Sequence, residues 1–95
     1  MKNEILKAIG TIEIHYSDFD HDYDWSKRTY AKCIKTVESE NYNIEVEFEE
    51  EARWTAPDDY DIVNLAVAGI KITDENGLEI ETDIKDKEIL TAINY

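Results

Sequence analysis

Residues 43–49 read Asn-Ile-Glu-Val-Glu-Phe-Glu, an unbroken alternation of apolar and acidic side chains. A β-strand turns a period of two into one apolar and one charged face, because successive side chains point to opposite sides. Wound into a helix, the same order would scatter Ile44, Val46 and Phe48 around the circumference. The segment therefore predicts a half-buried strand with Ile44, Val46 and Phe48 inward and Glu45, Glu47 and Glu49 outward. Such a strand needs partner strands and a layer covering its apolar side.

The rest of the chain supplies candidates for both. Residues 62–73 are apolar with many β-branched members and lead into Asp74-Glu75-Asn76-Gly77. Asn-Gly is a strong hairpin signal, since both residues tolerate positive φ, and Leu78-Glu79-Ile80-Glu81-Thr82-Asp83 alternates as a return strand. Upstream, Tyr30, Cys33, Ile34 and Val37 fit helical spacing with Ser26 as a cap. Thr, Tyr, Cys, Ile and Val nevertheless favour strands, and a short 38–42 link to the next segment would make a hairpin. Thr11–Tyr16 also alternates, with Ile12, Ile14 and Tyr16 on one face. A helical turn is expected over 4–9, between Asn3 and Gly10, and a short helix within 84–93 from the spacing of Ile84, Ile89 or Leu90, and Ile93. Trp25, Trp54, Tyr23, Tyr42 and Tyr60 are expected in loops, with Trp54 capping the core. The sequence has no Pro/Gly/Ser-rich linker, and its one proline, Pro57, sits in the expected central loop. The expectation is an α+β fold, one domain over 1–95: an antiparallel β-sheet of four to five strands with a short C-terminal helix packed on one face.

Charge narrows the function. Ten Lys and Arg against twenty-three Asp and Glu leave a net charge of −13 at pH 7, which repels nucleic acid phosphates and anionic membranes. A lone Cys33 permits no intrachain disulfide, residues 1–10 hold no apolar run of the length a signal peptide needs, and no 18-residue apolar stretch occurs, so a cytoplasmic location is expected. No nucleophile-and-base pair is legible, the three glycines are too scattered to cradle a phosphate, and Cys33 lies in an apolar pattern that would raise its pKa. The expectation is a protein that is not an enzyme and carries no cofactor.

Asp18, Asp20, Asp22 and Asp24 resemble the opening of a calcium loop, but Tyr23 stands where that loop turns on Gly and Thr29 where it takes a bidentate Glu. No metal ligand is assigned, and a divalent-cation-dependent binding module is a secondary alternative. The basic cluster Lys27, Arg28, Lys32 and Lys35 reads as a counterweight to this aspartate run.

The acids are unevenly placed. Residues 38–51 hold seven Glu and no basic residue, whereas an ordinary soluble sheet face mixes both signs. Glu45, Glu47, Glu49 and Glu51 would form a row of carboxylates at roughly 6.8 Å spacing, from a rise of about 3.4 Å per residue. To match the charge density of nucleic acid, the row needs Glu79, Glu81 and Asp83, or Asp18–Asp24, or Asp58, Asp59 and Asp61, alongside it. Trp25 and Tyr60, in predicted loops beside acids, are candidate anchors for a partner surface.

Residues 44–93, with an acidic alternating strand, Arg53-Trp54 and Pro57 in a loop, a hairpin and a closing acidic-apolar helix, are similar in layout to small acidic accessory proteins of phages. In class, and not through any aligned motif, the chain resembles phage DNA-mimic inhibitors such as anti-CRISPR, anti-restriction and uracil-DNA glycosylase inhibitor proteins. The resemblance implies a noncatalytic inhibitor that occupies the basic nucleic-acid-binding surface of a host nuclease, CRISPR effector or other DNA-processing protein. The partner residues would be Glu45, Glu47, Glu49, Glu51, Asp18, Asp20, Asp22, Asp24, Glu79, Glu81, Asp58, Asp59, Trp25 and Tyr60. The alternative is a homo-oligomeric or structural phage component with a merely solvated acidic face, self-associating through the aromatic loops.

Overall fold

A computed structural model describes residues 2–24 and 28–93. The elements are α1 (Lys2–Ile9), a 3-10 turn (Tyr16–Asp18), β1 (Thr29–Glu38), β2 (Tyr42–Ala56), β3 (Asp59–Asp74), β4 (Glu79–Ile80) and α2 (Asp86–Ala92). The four strands form one antiparallel sheet in the order β1-β2-β3-β4. With two short helices this is an α+β architecture.

The alternation that predicted β2 sets its burial. Ile44, Val46 and Phe48 are wholly excluded from solvent, and Cys33 and Val67 stand opposite Phe48 on the flanking strands. One cluster joins these three side chains to Ile5 and Ile9 of α1, Ile12, Ile14 and Phe19 of the following segment, Ile72 of β3, Ile84, and Ile89 of α2. Each such side chain contributes roughly 1.5–3 kcal/mol through burial. Lys2 reaches Glu88 at 3.1 Å, so an ion pair also ties α1 to α2.

Polar contacts hold the turns. Glu4 of α1 accepts hydrogen bonds from the Ser39 hydroxyl at 2.6 Å and from the backbone and side-chain N–H of Asn41, both at 3.1 Å, fixing the β1–β2 link against the helix. In the β3–β4 turn, Asp74 Oδ1 accepts from the N–H of Asn76 at 2.9 Å and of Leu78 at 3.0 Å. Among the described residues only Gly77 takes a positive φ, +81°.

Several expected boundaries move. Residues 11–16 are not a strand: the Ile12 N–H closes a turn onto Ile9 at 2.9 Å, and only an isolated bridge at Glu13 precedes the 3-10 turn. Ile12 and Ile14 are nevertheless buried; alternation marked which side chains turn inward without supplying a strand edge to pair with. The return strand expected over 78–83 is confined to β4, because Thr82 Oγ1 accepts the Ile84 N–H at 3.3 Å and bends the backbone towards α2. The central loop also shrinks. β2 and β3 pair to Trp54 opposite Tyr60 and Ala56 opposite Asp59, which leaves Pro57 and Asp58 as the turn and places Trp54, Tyr60 and Tyr42 in strands. Pro57 sits outside the ladder, where its missing N–H breaks no bond.

Register shifts between Glu47 and Phe48 and between Glu51 and Ala52 place extra residues, Ala68 and Val63, in β3. The molecule is elongated, 47 × 22 × 20 Å. No described helix is long and apolar enough to cross a membrane.

Candidate functional site

The four-glutamate row exists on the outer face of β2. Its neighbours, however, are set by register. Across β1, Tyr30 stands opposite Glu51, Lys32 opposite Glu49, Ile34 opposite Glu47 and Thr36 opposite Glu45; across β3, Lys71 stands opposite Glu45 and Asp61 opposite Arg53. Arg28 reaches Glu51 at 2.6 Å, Lys32 reaches Glu47 at 3.9 Å and Arg53 reaches Asp61 at 3.7 Å. Along this face Glu45, Glu47, Glu49, Glu51 and Asp61 therefore meet Arg28, Lys32, Arg53 and Lys71. The single-sign run of residues 38–51 becomes a mixed surface once its neighbouring strands are in place.

Asp18 is likewise engaged: its Oδ2 accepts the His15 N–H at 2.8 Å and lies 2.9 Å from Lys35 Nζ. The His15 bond first, and the Lys35 contact second, hold its carboxyl below the usual range. Lys35 thus does what the basic cluster was expected to do. Glu79 shares the outer face, since Thr73 stands between it and Asn43, and Glu81 follows in the exposed segment after β4. Trp25 and Lys27 lie outside the described residues.

A different group of sequence-selected residues does come together, at the Pro57-Asp58 end of the β2–β3 hairpin. The Tyr60 ring lies 5.1 Å from His21 and 4.8 Å from Trp54, and Tyr23 meets Trp54 edge-on at 5.3 Å. These contacts carry the 20–24 segment onto the inner face of β2 and β3. In sequence, Asp20 and Asp22 flank His21, Asp22 and Asp24 flank Tyr23, and Asp58, Asp59 and Asp61 adjoin Tyr60. Among the described residues no ion pair engages Asp20, Asp22, Asp58 or Asp59. Asp58, Asp59, Tyr60, Asp61 and Ile62 line an open cleft of about 420 Å³. This end of the molecule is an aromatic cluster built from residues whose sequence neighbours are aspartates, with Tyr23 still 43% exposed.

Beneath the rings runs a hydrogen-bond chain that sequence reasoning missed. His21 Nε2 lies 2.9 Å from Glu50 Oε1, and His21 Nδ1 lies 2.9 Å from Thr29 Oγ1. The Trp54 indole N–H donates to the same Thr29 oxygen at 3.0 Å. The side chains of His21 and Glu50 have no solvent exposure. One signal was present: in Glu49-Glu50-Glu51, a period of two that sends 49 and 51 outward sends 50 inward, among Ile44, Val46 and Phe48. An inward carboxylate is stable only with a hydrogen-bonded partner, and His21 is that partner.

A hydroxyl, an imidazole and a carboxylate in series have the composition of a nucleophilic triad. Here the imidazole and carboxylate are sealed from solvent, and the hydroxyl oxygen is already held by an indole N–H. The chain is suited to fastening the 20–24 segment to the sheet. Among the described residues no group of three or more His, Cys, Asp or Glu is arranged to hold a metal ion. Cys33, half-buried on β1, has its thiol pushed up by burial, which disfavours the reactive thiolate. Compared with protein-family models, curated proteins and solved structures, the chain matches none.

Proposed function

We propose that this protein is a noncatalytic, acidic binding protein that docks on the basic nucleic-acid-binding surface of a nuclease, CRISPR effector or other DNA-processing protein, in the manner of the DNA-mimic inhibitors it resembles. Such a protein acts in the cytoplasm of the cell whose machinery it blocks. The observation that carries the reading is the hairpin end, where Asp20, Asp22, Asp58 and Asp59 have no ion-pair partner among the described residues and adjoin in sequence His21, Tyr23 and Tyr60, whose rings cluster with Trp54. Rings of this kind supply contact area at low entropic cost, while unmatched carboxylates steer a cationic partner. The outer row contributes less, because Arg28, Lys32, Arg53 and Lys71 stand among its glutamates.

The test is competition. Candidate DNA-binding effectors are titrated with the protein in the presence of their nucleic acid, over a range of salt. The reading expects displacement of nucleic acid, and affinity that falls steeply as salt rises. It also expects the quadruple variant Asp20→Asn, Asp22→Asn, Asp58→Asn, Asp59→Asn to lose at least tenfold in affinity, while Glu45→Gln with Glu49→Gln loses little. Binding that ignores salt, or that depends on the Glu45 and Glu49 pair and not on the four aspartates, would overturn it.

A further inference from the structure

The far edge of β3 is left open. β4 pairs with β3 only at Ile72 and Thr73, so among the described residues the edge from Asp59 to Lys71 has no strand beside it. Beyond Ile80 the chain diverges, and Ile70, Ile72, Ile80, Glu81 and Thr82 line a cleft of about 450 Å³. Soluble proteins usually blunt such an edge with charge or proline. Here residues 62–70, Ile-Val-Asn-Leu-Ala-Val-Ala-Gly-Ile, contain neither, in a chain where 35% of residues are charged. Ile62 and Val63 remain 42% and 43% exposed, and Leu65, Val67 and Ile70 are only half-buried.

We propose that this edge is a homodimer interface, in which β3 pairs antiparallel with β3 of a second copy about a twofold axis at Ala66. Two features select a second copy as the occupant. The first is charge. Two chains of −13 repel over most of their surfaces, and the 62–70 stretch removes that obstacle locally. It is bounded by one acid, Asp61, and one base, Lys71, so antiparallel self-pairing sets each Asp61 opposite the Lys71 of the other copy. Both belong to the outer face, where they stand opposite Arg53 and Glu45.

The second feature is facial register. Ile62, Leu65, Val67 and Ile70 stand opposite Ala52, Glu50, Phe48 and Val46 of β2 and so share the inner face. With Ala66 opposite itself, Ile62 meets Ile70 and Leu65 meets Val67 of the second copy, inner face against inner face. A slip by one residue would set inner against outer side chains. The twofold repeats each pair, and the ladder between copies runs from Asp61 to Lys71, because Ile72 and Thr73 already hold β4 on that edge.

Sedimentation velocity on the full chain over a range of concentration and salt tests this. The expected result is a monomer–dimer equilibrium that tightens as salt screens the overall repulsion. Lys71→Glu and Asp61→Lys, each placing like charges opposite one another at two symmetric positions, are each expected to weaken the dimer by about tenfold or more. The exchanged double variant, Asp61→Lys with Lys71→Asp, should restore it. A strictly monomeric wild type would overturn the proposal. A dimer indifferent to both single reversals, with circular dichroism unchanged, would place the interface elsewhere and overturn it too. Competition for nucleic-acid sites is a separate readout, so failure of this inference leaves the binding function to its own test.

Discussion

Glu50 occupies an inward position of β2, between Phe48 and Ala52, and His21 meets it there from a segment 29 residues earlier in sequence. Removing the carboxylate strands a buried imidazole. Glu50→Ala is expected to lower stability by about 1–3 kcal/mol in urea titrations. Glu50→Gln, which keeps an acceptor for His21, should lose clearly less; equal losses would mean that packing, and not the hydrogen bond, is what Glu50 provides. Glu4 makes a different case, on the surface. The Ser39 hydroxyl and the Asn41 side chain, in that order, hold its carboxyl below the ordinary 4.5. A depressed folded pKa contributes stability that is present above the unfolded value and lost as pH falls through the folded one. Glu4→Gln should therefore be less stable than wild type at pH 7, and the gap should close as pH drops below about 4.5. A gap constant with pH would show that Glu4 acts through shape alone.

At the scale of elements, the β3–β4 turn depends on one glycine. Gly77 sits at φ +81°, where a Cβ meets the backbone unfavourably although nothing lies within 4 Å of it in space. Gly77→Ala should cost about 1–2 kcal/mol, measured by thermal unfolding, while Asn76→Ala, which keeps the backbone N–H that Asp74 accepts, should cost less. Sequence resolved the elements unequally for physical reasons. β2 was legible because Ile44, Val46 and Phe48 alternate with glutamates, whereas β1 was left between two readings, because Tyr30, Cys33, Ile34 and Val37 fit helical spacing while their residue types favour strands. The lengths of β2 and β3 were not, since strand ends depend on whether a partner continues alongside, as Trp54 and Tyr60 do for each other. Conversely, Ile12 and Ile14 alternate and are buried without a strand edge to complete a ladder.

Over the whole molecule, the excess of acid is a destabilising field only partly relieved by pairs such as Arg28–Glu51 and Lys35–Asp18. Salt shortens the Debye length from about 30 Å at 0.01 M to about 8 Å at 0.15 M. The thermal midpoint should rise over that range by about 5 °C, the response to roughly 1 kcal/mol in a domain of this size. A falling midpoint would mean that local ion pairs outweigh the overall repulsion. The sequence alone determined the total charge, the inward and outward faces of β2 and the position of the Asn-Gly turn, because each follows from composition or from contacts within a few residues. Tertiary structure decided which carboxylates stand beside a cation and which, among the described residues, do not. Arg28, just ahead of β1, and Lys71 of β3 stand beside the glutamate row, and Tyr23, Trp54 and Tyr60 gather from two distant segments. Electrostatic potential at a surface depends on distances in space, and strand register, not chain order, sets those distances.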